Sequence, residues 1–169
     1  MKALVVYDSM FGNTEQIAQT MTAALVEQMD ATAQRVGEVT PEALTGVDLL
    51  IVGSPTQGFQ PTPATKTLLD SLPVQGLRGV QVAAFDTRID VADVGNRFLT
   101  FMVNIFGYAA KPIANRLEKK GGNLVMPPEG FIVNGKEGPL KEGELARAAT
   151  WAKAVGRMGI PAAEPIAVH

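Results

Sequence analysis

The sequence contains no cysteine. That absence excludes disulfides, thiolate nucleophiles, cysteine-held iron–sulfur clusters and cysteine-ligated zinc. Histidine occurs once, at His169, which leaves a Ser-His-Asp triad or a histidine-built metal centre without support. Positive charge is not in excess: 15 Lys and Arg stand against 17 Asp and Glu, for a net charge of −2. No basic field is present for nonspecific nucleic-acid binding, and no polybasic run for an anionic membrane. Long apolar runs are also missing. Phe98 to Ala110 is free of charge for about 13 residues, short of the roughly 20 that a bilayer-spanning helix needs. Met1 to Tyr7 is apolar but ends in Asp8 without a small-residue cleavage site, and it reads as a strand and not a signal peptide. The expectation is a cytoplasmic protein with neither nucleic acid nor membrane as partner.

What is present suits a globular chain. Hydrophobic residues make up 46% and charged residues 19%, unlike a disordered chain or a coiled coil. At roughly 100–200 residues per domain, 169 residues are one domain. We expect it over residues 1–160, with a mobile tail over 161–169.

Strands and helices alternate along the chain. Leu4–Tyr7 is a short apolar run that reads as a strand. From Thr14 to Met29, apolar residues recur at Ile17, Ala18, Met21, Leu25 and Met29, which predicts a helix with Asn13 or Thr14 as its cap. Thr32–Val36 is an edge-like strand. Val47–Val52 is a continuous apolar run, as expected of a strand covered on both faces. Gly53–Pro63 is a loop, Ala64–Leu72 a short helix, Gly79–Phe85 a buried strand and Asp86–Asp93 a second loop. Val94–Lys120 is helical in two parts, with a break near Gly107 and Pro112. Leu124–Met126 and Phe131–Val133 make a last strand interrupted by Pro127-Pro128. Leu140–Arg157 is the final helix, with Leu145, Ala149, Ala152 and Val155 on its buried face and Trp151 as packing. Phe98, Phe101, Phe106 and Tyr108 form an aromatic cluster expected in the core; a partner-facing patch is the alternative. Alternation of this kind predicts right-handed crossovers and a parallel sheet with helices on both faces. Ligands of such sheets sit beyond the carboxyl ends of the strands, where strand order reverses. The loops to weigh are therefore Ser9–Thr14, Ser54–Phe59 and Asp86–Arg88.

Ser9-Met10-Phe11-Gly12-Asn13-Thr14 offers two hydroxyls, an amide and backbone N–H groups at a helix N-terminus. Unpaired N–H groups converge there with about half a positive charge of helix dipole, so anions bind. No Lys or Arg occurs from Ala3 to Gln34, so these donors are neutral. The loop is neither a Walker A motif nor Gly-x-Gly-x-x-Gly. On spacing alone, an ordinary capped turn and an anion site fit equally.

Tyr7-Asp8-Ser9-Met10-Phe11-Gly12-Asn13-Thr14-Glu15 resembles the phosphate-binding signature of the flavodoxin family, and the order of elements agrees over nearly the whole chain. The resemblance implies an open five-stranded parallel sheet of order 2-1-3-4-5 that binds FMN. Its phosphate would be held by Ser9, Gly12, Asn13 and Thr14, with Met10 and Phe11 in the same loop. By the same resemblance, Pro55, Thr56, Gln57, Gly58 and Phe59 form the second flavin loop, with Gly58 as a peptide that turns over on reduction. Phe59 suits either flavin contact or peripheral packing. Asp86, Thr87 and Arg88 form the third loop, on the pyrimidine side; a solvated Asp–Arg pair is the alternative. The chain departs from the best-known members in having no aromatic residue from Asp86 to Arg97. The function implied is electron transfer between redox partner proteins by a monomer or weak homodimer. An FMN-dependent NAD(P)H:quinone or acceptor oxidoreductase is the alternative.

Overall fold

The structure is a computed structural model, and it describes residues 1–91 and 95–161. A parallel sheet forms its centre. The strands are β1 (Lys2–Tyr7), β2 (Asp30–Arg35), β3 (Leu49–Pro55), β4 (Gln81–Arg88) and the short β5 (Asn123–Leu124) and β6 (Glu129–Ile132). Their order is β2-β1-β3-β4-β5, and β6 pairs with β4 further along the same edge. The fifth position is therefore one strand in two pieces, split around Pro127-Pro128. Proline cannot donate to a ladder, so the pairing breaks there. The helices are α1 (Asn13–Leu25), α2 (Pro63–Ser71), α3 (Arg97–Phe106), α4 (Ala110–Lys119) and α5 (Glu144–Gly159).

Side-chain alternation divides the core into two layers. Ala3, Val5, Leu49, Ile51, Ala83 and Phe85 point to one face, where Ile17, Met21 and Leu25 of α1 and Ala148, Trp151 and Val155 of α5 cover them. Leu4, Val6, Leu50, Val52, Val82 and Ala84 point to the other, under Leu69 of α2 and Ile113 and Leu117 of α4. Phe85, Phe131 and Trp151 meet edge to face, with centroids 6.1 and 6.2 Å apart. Gly53 lies beneath this stack. A Cβ there would sit 2.0 Å from the Phe85 ring, so only glycine fits.

The structure corrects several expectations. β3 runs on to Pro55 and β4 to Arg88, because Ser54 pairs with Asp86, Pro55 with Thr87, and Arg88 with Ile132. Asp86, Thr87 and Arg88 thus end a strand and do not form a loop. The helix break falls at Gly107, where φ is 72°. Pro112 sits in the first turn of α4, where its missing N–H costs no intrahelical bond. In α5 the buried stripe is Ala148, Trp151, Ala152 and Val155, while Leu145 is exposed. Phe98 and Phe101 of α3 are 70% and 58% exposed and do not join the core. Residues 92–94, within the segments read as second loop and helix, lie outside the described residues, as does the tail beyond 161. The side chain of Phe106 is also outside the description.

Candidate functional site

The crevice lies beyond the carboxyl ends of the paired strands β1 and β3, where the chain leaves β1 for α1 on one face of the sheet and β3 for α2 on the other. A cleft of about 110 Å³ opens there, lined by Ser9, Met10, Phe11, Asn13, Thr14, Pro55, Thr56, Thr87, Arg88 and Ile89, with Val133, Gly135 and Lys136 from the far end of the chain. Gly12 precedes α1 in the left-handed region, with φ 88° and ψ −6°. The expected caps, Asn13 and Thr14, are inside the helix. Ser9 does the capping instead: its Oγ accepts from Gly12 N–H at 3.1 Å and from Glu15 N–H at 3.4 Å. The backbone N–H groups of Met10, Phe11, Asn13 and Thr14 have no acceptor among the described residues. They are open donors at the positive end of a helix dipole, which is what an anion requires.

The side chains of this loop are fixed by neighbours. Thr14 Oγ1 shares a hydrogen bond of 2.7 Å with Thr87 Oγ1. One hydroxyl of such a pair donates, so the other keeps its own proton for a ligand. Asn13 Nδ2 donates to the carbonyl of Glu137 at 3.1 Å, so this amide donor holds the chain rather than facing the cleft. Arg35 donates to the Ser9 carbonyl at 2.9 Å and pairs with Glu15 at 3.3 Å and Asp8 at 3.7 Å. Its charge is engaged behind the loop. Burial, and then the hydrogen bond to Glu15, push the Tyr7 phenol upward.

The second loop is a tight hairpin. Gln57 and Gln60 exchange backbone hydrogen bonds of 2.8 and 3.0 Å, and the residues between them, Gly58 and Phe59, have φ of 52° and 67°. Positive φ at both central positions is the mark of a type I′ turn. Phe59 is a bulky residue held in the left-handed region, a strained state that concentrates at ligand sites. Its root is pinned by Ser54 Oγ, which accepts from Thr62 N–H at 2.9 Å, and by Thr62 Oγ1, which donates to Asp8 Oδ2 at 2.6 Å. Thr56 Oγ1 accepts from Ala109 N–H at 3.2 Å.

At the end of β4 the Asp86–Arg88 pair that the sequence leaves as an alternative is present, but buried and not solvated. Asp86 is fully buried and does not line the cleft. It accepts from Arg88 Nε at 2.6 Å, Arg88 Nη2 at 2.7 Å and Ala110 N–H at 2.8 Å. Burial pushes its carboxyl above the ordinary range, and Arg88 opposes that shift. The Arg88 guanidinium lies 3.8 Å from the Tyr108 ring centroid. On its other side is Gly130, where a Cβ would meet Arg88 Cζ at 2.1 Å. Arg88 is therefore a rigid cation in the cleft wall. A second cavity of about 190 Å³ shares Thr56, Arg88 and Ile89 and adds Gly58, Phe59, Val91, Leu99, Val103 and Tyr108.

Of the residues singled out from sequence, nine line the first cleft. Gly58 and Phe59 line the second. Gly12 shapes the turn before α1, Gln57 closes the hairpin, and Asp86 lies beneath. Sequence reasoning placed Tyr108 in the aromatic cluster and not beside Arg88, where its ring lies, and it missed the segment Val133–Lys136. The signal for that segment is a lysine among glycines directly after the last strand.

A doubly wound sheet with open helix-terminal donors at its switch point and a ring-lined cavity beside them defines a mononucleotide-binding protein of the flavodoxin-like class. The donor set suits a phosphate, and the apolar rim of Met10, Phe11, Ile89 and Phe59 suits a planar heterocycle. The flavodoxin family model matches residues 5–151, and the chain belongs to that family, whose cofactor is FMN. A flavodoxin from the domain Archaea is 19% identical with a TM-score of 0.73, over 94% of this chain and 99% of that one. Flavodoxin 2 from Bacillus cereus is 25% identical with a TM-score of 0.70, over 93% and 99%. A flavodoxin, WrbA-like protein from Agrobacterium tumefaciens is 17% identical with a TM-score of 0.71, over 94% and 96%. No curated protein matches by sequence. Among the described residues, no helix is long and apolar enough to cross a membrane.

Proposed function

We propose that this chain is an FMN-dependent electron carrier between redox proteins in the cytoplasm, acting as a monomer or weak homodimer, with neither nucleic acid nor membrane as partner. The observation that carries the reading is the set of open N–H donors of Met10, Phe11, Asn13 and Thr14 at the start of α1. Among the described residues, those lining the cleft beside them include no histidine or cysteine for acid–base or nucleophilic work. In this reading those amides, with Ser9 and the Thr14–Thr87 hydroxyl pair, hold the phosphate. Gly12 gives the backbone its close approach. Pro55, Thr56, Gln57, Gly58 and Phe59 flank the ring, and Arg88 sets a fixed positive charge at its edge. FMN when bound supplies the redox chemistry, one or two electrons at a time; the protein supplies binding, orientation and electrostatics.

The cavity between Phe59 and Tyr108 favours a second reading, an FMN-dependent NAD(P)H:quinone or acceptor oxidoreductase, because it leaves room beside the flavin for a further ring. Steady-state oxidation of NADH or NADPH with a quinone acceptor separates the two. A carrier reduces slowly and without saturable turnover, whereas sustained turnover at the ordinary enzyme scale, of order 1–1000 per second, identifies the oxidoreductase.

A further inference from the structure

The segment between β6 and α5 folds into a strap that reaches the start of α1. Its base is fastened by the pairing of Val133 with Leu140, by Asn134 N–H donating to the Pro139 carbonyl at 2.8 Å, and by Lys141 N–H donating to the Ile132 carbonyl at 2.9 Å. Its tip is tied by Asn13 Nδ2 to the Glu137 carbonyl at 3.1 Å. The approach is close: a Cβ on Gly138, whose φ is 109°, would stand 2.7 Å from Asn13 Oδ1. Strap and phosphate loop thus share one wall, and Lys136 lines the same cleft as Ser9, Asn13 and Thr14.

The charges around this wall are unequal in their commitments. Arg35 is tied to Asp8, Glu15 and the Ser9 carbonyl. Lys136 makes no ion pair among the described residues. The phosphate loop itself contains no cation, and a bound phosphate monoester carries about −1.5 to −2 charges at neutral pH. We propose that Lys136 is the counter-charge for the flavin phosphate. The strap, anchored by Asn13, then makes the site select the phosphorylated flavin over riboflavin. The inference rests on the FMN reading and adds a specificity residue to it.

The test is the affinity of the flavin-free full chain for FMN and for riboflavin, read by quenching of flavin fluorescence. Wild type, Lys136→Gln and Lys136→Arg are compared at low and high salt. Lys136→Gln weakens FMN about tenfold, the scale of one hydrogen bond to a charged group, and leaves riboflavin within about twofold. Lys136→Arg restores most of the loss. The salt dependence of FMN binding is shallower in Lys136→Gln than in wild type. Asn13→Ala combined with Lys136→Gln costs less than the sum of the two, because an untied strap no longer places the lysine. Unchanged FMN affinity in Lys136→Gln, or equal losses for both flavins, overturns the proposal while leaving the FMN reading intact. A wild-type chain that binds neither flavin overturns both.

Discussion

Removing the Arg88 side chain leaves Asp86 buried with one partner. Its carboxylate is fully buried and has three donors, two from Arg88 and one from Ala110. Arg88→Ala deletes two of them together with the opposing charge. The Arg88 side chain is only 22% exposed, so solvent screening is limited. Breaking a buried pair from one side costs about 3–5 kcal/mol at pH 7. For a chain of this size that is about 6–20 °C in melting temperature. The sign with pH follows from linkage. Burial already raises the Asp86 carboxyl in the folded state, and loss of Arg88 raises it further. The folded state then binds more protons than the unfolded one above the ordinary Asp value of about 3.9, so stability falls as pH rises from there. Urea denaturation at pH 7 and pH 5 measures both effects: the variant should recover part of its loss at pH 5. The double variant Asp86→Asn with Arg88→Met removes both charges while the Asn carbonyl still accepts from Ala110, and it should lose less than Arg88→Ala alone. A loss below about 1 kcal/mol, or one equal at both pH values, would refute the claim that this pair is held as a buried ionic unit.

Thr14→Val breaks the buried hydroxyl pair with Thr87; we expect about 1–2 kcal/mol of lost stability and a larger drop in FMN affinity than in riboflavin affinity, checked by denaturation and by fluorescence titration. Gly53→Ala drives a Cβ into the Phe85 ring and should cost about 3 kcal/mol or more, with thermal melting as the readout. Phe98→Ser with Phe101→Ser should change stability by less than about 0.5 kcal/mol, since both rings are exposed; a large loss by denaturation would mean that the rings are packed in solution. Glu144 accepts from Ile132 N–H and from Arg147, and although burial opposes it these partners hold its carboxyl below the usual range. Its contribution is therefore complete above an ordinary Glu value of about 4.3 and fades as pH falls below it, so Glu144→Gln should flatten the acid limb of the stability curve measured by denaturation.

The central strands were legible because continuous apolar runs such as Leu49–Val52 are what a sheet covered on both faces demands. The donor-rich turn before α1 was legible because a strand, a glycine turn and a helix start coincide within Tyr7–Thr14. The end of β4 was not. A charged Asp-Thr-Arg segment looks solvated in sequence, and only the distant Ala110 N–H, Tyr108 ring and Gly130 backbone make its burial tolerable. Lys136 was hidden for the same reason, because nothing local in its glycine-rich segment shows that the strap reaches Asn13. The exposure of Phe98 and Phe101 runs against the ordinary inside-outside rule, and no spacing in α3 signals it.

The most direct measurement is the visible absorbance of the purified protein together with the identity of the flavin it releases on denaturation. The account predicts the flavin bands and stoichiometric FMN, with riboflavin failing to displace it. A colourless protein that takes up no FMN when it is added would contradict the reading of the α1 N-terminus as a flavin-phosphate cradle.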